Sequence, residues 1–107
     1  MTDVRDSIET IREAAVRVAE ANGAKLAILF GSYARGTATA RSDVDLIFVE
    51  DTDLPFLKRL DRYFDPLADM LSGPVETLVY TPDEFESMKD RAFIKRAVEE
   101  GVVLYER

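Results

Sequence analysis

The chain has 107 residues, enough for one domain of ordinary size, and a single domain over 1–107 is expected. With 47% hydrophobic and 33% charged residues the composition is that of a packed globule, not of a disordered or fibrous chain. A net charge of −7 argues against sequence-independent nucleic-acid binding, and the lack of Cys and His removes zinc sites, thiol nucleophiles, Ser-His-Asp triads and imidazole bases. Chemistry is left to carboxylates, Lys, Arg, Tyr, Ser and Thr, with oxygen-liganded cations such as Mg²⁺ as the natural metals. The stretch from Met1 to Glu13 is charged, and no apolar run approaches the roughly 18–20 residues of a membrane span. The expected location is the cytoplasm, with no membrane partner.

Val4, Ile8, Ile11, Ala15 and Val18 recur at steps of four and three, which predicts an amphipathic helix that Asn22-Gly23 ends. Lys25 to Phe30 is a short apolar run closed by Gly31 and reads as a buried strand. Thr37 to Ser42 is a loop, and Asp43 to Glu50 (DVDLIFVE) reads as a second strand with an acidic entrance. Asp53 is a candidate helix cap, Pro55 fits a first turn, and Leu57, Leu60, Phe64, Leu67 and Leu71 hold helical spacing. Pro66 interrupts that pattern and predicts a kink or break just before it. Lys58, Arg59 and Arg62 read as a solvated face, and Tyr63, Tyr80 and Tyr105 as partly buried structural aromatics.

Val75 to Tyr80 is a third strand after the turn Ser72-Gly73-Pro74. Thr81-Pro82-Asp83-Glu84 combines a capping box with Pro at the first helical position. One helix or two then run to Glu100, with Phe85, Met88, Phe93, Ile94 and Ala97 available for the buried side. Gly101 ends them, and Val102 to Tyr105 forms a short last strand. The order α-β-β-α-β-α-β describes an α/β (α+β) domain with helices packed on a small mixed sheet.

Two stretches carry chemistry. Asp43 and Asp45 stand at i and i+2 on a strand, so they share a face about 6–7 Å apart and can converge on a pair of cations. Gly31-Ser32 follows a buried strand, where the chain turns sharply and Tyr33-Ala34-Arg35 fits the first turn of a short helix. Exposed amides there, the Ser32 hydroxyl and the Arg35 guanidinium make a seat for a triphosphate. Each stretch alone is also what an ordinary turn or a solvated strand end looks like. Gly-Ser, ten residues, then Asp-x-Asp is more specific: at usages of roughly 5–7% each, four fixed positions coincide in about one such chain per thousand.

On Ile28-Leu29-Phe30-Gly31-Ser32, Arg35-Gly36 and Ser42-Asp43-Val44-Asp45-Leu46, the sequence resembles the DNA polymerase β-like nucleotidyltransferase superfamily. Within it, the chain is similar to the minimal nucleotidyltransferases, small prokaryotic proteins often paired with HEPN-domain partners. The resemblance implies the polymerase β-like nucleotidyltransferase fold and catalysis by Asp43, Asp45 and Glu76. The two aspartates would bind two Mg²⁺ ions, and Glu76 would act as third ligand or as base. Many relatives carry Asp at the last position, so Glu, one methylene longer, departs from the pattern.

The resemblance further implies nucleotide binding by Gly31, Ser32, Arg35 and Ser42, and ATP as substrate. The implied reaction is transfer of AMP to a hydroxyl, with a Tyr of a HEPN-type ribonuclease toxin as acceptor and the chain acting as antitoxin. At this length the acceptor surface is expected to come from another molecule. Two alternatives stand beside this reading: a non-catalytic module that neutralises its partner by occlusion, and nucleotidyl transfer to a small molecule, as in relatives that inactivate aminoglycosides.

Overall fold

A computed structural model describes residues 6–107. Helix α1 spans Ile8–Asn22, and the Ser7 hydroxyl caps it by accepting the Thr10 N–H at 3.1 Å. Gly23, at φ 71°, closes it in the left-handed conformation. Ile11, Ala15 and Val18 are buried as their spacing predicts, Ile8 is 39% exposed, and Val4 lies outside the described residues. Buried Asp6 holds the chain ahead of α1, accepting the N–H groups of Ser72 at 2.9 Å and Gly73 at 3.2 Å.

Four strands, β1 (Leu26–Phe30), β2 (Val44–Val49), β3 (Val75–Tyr80) and β4 (Val102–Glu106), form one sheet in the order β3-β2-β1-β4. β1 runs antiparallel to β2 and β4, whereas β2 and β3 are parallel, so the sheet is mixed as expected. Alternation along each strand divides the side chains between two cores. Ala27, Leu29, Leu46, Phe48 and Val79 pack against Ile11, Ala15 and Val18 of α1 and, from α4 (Asp61–Met70), against Tyr63 and Leu67. On the other face Ile28, Ile47 and Tyr80 meet Phe85 of α5 (Pro82–Met88) and Ile94 and Ala97 of α6 (Ala92–Glu100). The Thr81–Glu84 capping box forms at the start of α5.

The element order is longer than α-β-β-α-β-α-β: a short helix α2 (Gly31–Arg35) follows β1, and the helix after β2 is split into α3 (Phe56–Arg59) and α4. The split falls at Leu60, and α4 continues through Pro66 without the expected break. Pro66 cannot donate to the carbonyl of Arg62, one turn earlier. That carbonyl instead accepts the side-chain amide of Asn22 at 3.1 Å. An α1 residue thus satisfies the group that proline orphans, and the helix persists. Asp53 is not the cap, since α3 starts after Pro55 and has no side-chain cap.

The solvated-face reading holds for exposed Lys58, is overturned for Arg59, and is incomplete for half-buried Arg62. Arg59 is 5% exposed, donating to Glu84 in a two-pronged contact at 2.6 and 3.2 Å and to the carbonyls of Leu54 and Val79. Arg62 pairs with buried Glu50, which also accepts the Tyr63 hydroxyl proton at 2.5 Å. Burial, and then the adjacent Glu50 carboxylate, hold that hydroxyl protonated well above the ordinary tyrosine range. Tyr63 is fully buried, more completely than expected, while Leu57 is 75% exposed.

Candidate active site

Strand register brings the predicted acids together. The antiparallel pairing of β1 and β2 sets Phe30 opposite Asp45, and the parallel pairing of β2 and β3 sets Asp45 beside Glu76. Phe30, Asp45 and Glu76 therefore form one row across a single face of the sheet. Asp43, two residues before Asp45, lies just ahead of β2, whose first residue is tied to β3 by the Val44 N–H on the Pro74 carbonyl at 2.9 Å. Each of Asp43, Asp45 and Glu76 offers a carboxylate oxygen within 4.8 Å of the others. Asp43 and Glu76 are exposed and Asp45 is half-buried.

Three carboxylates this close repel one another. Asp45 is pushed up to about 6, first by burial, then by the charge of Glu76 and a hydrogen bond to it, then by Asp43, with Arg35 opposing. A proton on Asp45 relieves the repulsion, and so would a divalent cation, for which three convergent oxygen donors are a suitable set. The acids present thus fit a hard metal.

Gly31 completes this corner. Its φ of +75° belongs to the left-handed region, and a Cβ there would stand 2.2 Å from Asp45 Oδ2. Only glycine turns the chain out of β1 and leaves room for that carboxylate. Buried Tyr33 anchors α2 in the core, and Gly36 and Thr37 close it by donating their N–H groups to carbonyls of Tyr33 and Ser32. Ser32 is half-buried and Arg35 exposed on this helix, and Arg35 is near enough to Asp45 to act on its charge. Ser42 is engaged differently: its hydroxyl oxygen accepts the Thr39 N–H at 2.8 Å, and its own N–H returns to the Thr39 carbonyl at 3.0 Å. Its contacts are those of a turn residue delivering Asp43.

A cleft of about 220 Å³ opens beside the acids, between Phe30, Gly31 and Arg35 on one side and Phe93, Arg96 and Glu100 of α6 on the other. Phe30 and Phe93 meet edge to face, ring centres 5.5 Å apart. The α6 residues belong to no motif in the sequence. Phe93, expected on the buried side, is 51% exposed at this cleft; the recurrence of 93, 96 and 100 at helical steps is the signal that could have grouped the three.

Comparisons with known proteins bear on the family and the fold. The nucleotidyltransferase domain family matches residues 11–105. A Methanocaldococcus jannaschii protein, provisionally named protein adenylyltransferase MJ0604, is 35% identical over 81 residues, covering 76% of this chain and 78% of its own length. Among solved structures, a provisionally named nucleotidyltransferase from Sulfolobus solfataricus superposes with a TM-score of 0.61 at 24% identity, covering 92% of this chain and 79% of that one. A toxin–antitoxin solved with AMP-PNP gives a TM-score of 0.67 at 21% identity, over 90% of this chain and 73% of that one. A variant of the toxin–antitoxin MntA-HpeT gives 0.66 at 19% identity, with the same coverage of both chains. These solved structures share the fold, and the family match reaches from α1 into β4. The chain belongs to the nucleotidyltransferase domain family and is a transferase of that class.

Proposed function

We propose that this domain transfers AMP from ATP to a hydroxyl group on a partner protein, and that the acceptor is a tyrosine of a HEPN-type ribonuclease toxin which the chain thereby silences as its antitoxin. The observation that carries the reading is the convergence of Asp43, Asp45 and Glu76 within 4.8 Å beside the Gly31-Ser32 turn. The transfer of a nucleotide to protein is supported by the relative named a protein adenylyltransferase, and the antitoxin role by the toxin–antitoxin structures that share the fold. The HEPN identity of the partner rests on the family resemblance.

In this mechanism Asp43, Asp45 and one oxygen of Glu76 would hold the cations. When bound, two Mg²⁺ ions would neutralise charge on the α-phosphate and on the departing pyrophosphate. Glu76, at the outer end of the row, receives the proton of the acceptor hydroxyl. The acceptor oxygen then bonds to the α-phosphorus as the bond to the pyrophosphate oxygen breaks, and the leaving group departs on the side opposite the nucleophile. With the acceptor at β3, that side is β1 and α2, where the Arg35 guanidinium faces the developing charge.

Incubation with α-labelled ATP and Mg²⁺, with and without a HEPN-type candidate partner, tests the reading. The expected result is label on the partner, lost in Asp43→Asn and Asp45→Asn. An unlabelled partner that is still neutralised by both variants would replace it with simple occlusion.

A further inference from the structure

In-line displacement needs a receiving end for the leaving group as well as an attacking end for the acceptor. Glu76, Asp45 and Phe30 are successive members of one row, on strands about 4.8 Å apart, so the ground beyond Asp45 from Glu76 is the mouth of the cleft between α2 and α6. Two arginines, Arg35 and Arg96, line that cleft. Among the described residues Arg96 takes part in no ion pair, although Glu100 stands one helical turn away on the same cleft. An exposed arginine left without a partner, in a chain of net charge −7, is open to an anion.

We infer that Arg96, with Arg35, holds the β,γ-diphosphate of the triphosphate and the pyrophosphate that leaves; this rests on the nucleotidyl-transfer reading and adds α6 to the site. Guanidinium matches phosphate oxygens in paired, charge-assisted contacts. The volume of about 220 Å³ lies below the 300–1,000 Å³ of sites for drug-sized ligands and suits a compact diphosphate. The rings of Phe30 and Phe93 form an apolar wall of the cleft, and the two arginines are its cationic groups. Glu100 is the acid lining this cleft and opposes the anion.

Calorimetric titration with Mg²⁺·pyrophosphate and with AMP separates this assignment from others. Arg96→Ala is expected to weaken pyrophosphate binding by about 10- to 100-fold, as loss of one charged phosphate contact does, and to leave AMP binding within about twofold. Arg96→Lys should recover part of the loss, and Glu100→Gln should tighten pyrophosphate. Because Arg96 is exposed, the melting temperature of Arg96→Ala should match that of the parent chain, which separates lost binding from lost fold. A chain that transfers label but whose pyrophosphate affinity is untouched by Arg96→Ala overturns the assignment alone. So does a selective loss of AMP binding, which would make the cleft a nucleoside site. Absence of label transfer from the parent chain falls instead on the nucleotidyl-transfer reading.

Discussion

Replacing Asp45 with Asn should abolish transfer and at the same time stabilise the metal-free protein. Asp45 ionises near 6 in the folded chain against 3.8 for a free side chain, so its charged form is disfavoured by folding. For an acid whose folded pKa is raised, stability is highest below the unfolded value and falls as pH rises from about 4 through about 6; at pH 7.5 the whole penalty is present. About two units correspond to roughly 3 kcal/mol, and solvent screening at this half-open site reduces the expected value to about 1–2 kcal/mol. The asparagine amide keeps the size of the side chain, carries no charge and can donate to Glu76 as protonated Asp45 does. Thermal denaturation in EDTA at pH 7.5 should therefore show Asp45→Asn melting about 5–10 °C higher than the parent chain, and the gap should close near pH 4. Added Mg²⁺ should raise the melting temperature of the parent chain and not of the variant. A variant no more stable than the parent at pH 7.5 in EDTA, or equally stabilised by Mg²⁺, would refute the reasoning.

Gly31→Ala should remove Mg²⁺ binding and cost about 1–2 kcal/mol from its left-handed backbone alone, because the new methyl would occupy the place of Asp45 Oδ2; denaturation with and without Mg²⁺ reads both effects. Arg59→Met should destabilise by about 2–4 kcal/mol in urea denaturation, since the carbonyls of Leu54 and Val79 and the Glu84 carboxylate lose their donor together. Asn22→Ala should cost about 1–3 kcal/mol by orphaning the Arg62 carbonyl, and Asn22→Ala with Pro66→Ala should recover much of it, because an alanine N–H can return to that carbonyl.

The sequence made the strands and the acid pair legible because both are local patterns. Val75 to Tyr80 reads as a strand from its residues and is one, and Glu76 could be placed by family resemblance at the third carboxylate position. What makes Asp45 and Glu76 neighbours is parallel register between strands joined through α3 and α4, which no local pattern encodes. The partners of Arg59 and Arg62 escaped for a related reason. Glu84 and Glu50 lie 25 and 12 residues away, so the helix sequence alone shows cations without showing what they pair with. Pro66 likewise predicts a break until Asn22, on another helix, is known to reach the freed carbonyl. The α6 side of the cleft escaped because Phe93 at helical spacing looks like core, whereas it stands half-open against Phe30.

The central claim is that the Asp43, Asp45 and Glu76 corner moves the α-phosphate of ATP, and parallel reactions with α-labelled and γ-labelled ATP test it most directly. With Mg²⁺ and the partner protein, the account predicts protein-bound label from the α position alone, one pyrophosphate released per label, and loss of both in Asp45→Asn. Label carried from the γ position, or α-label transfer that survives Asp45→Asn, would contradict it.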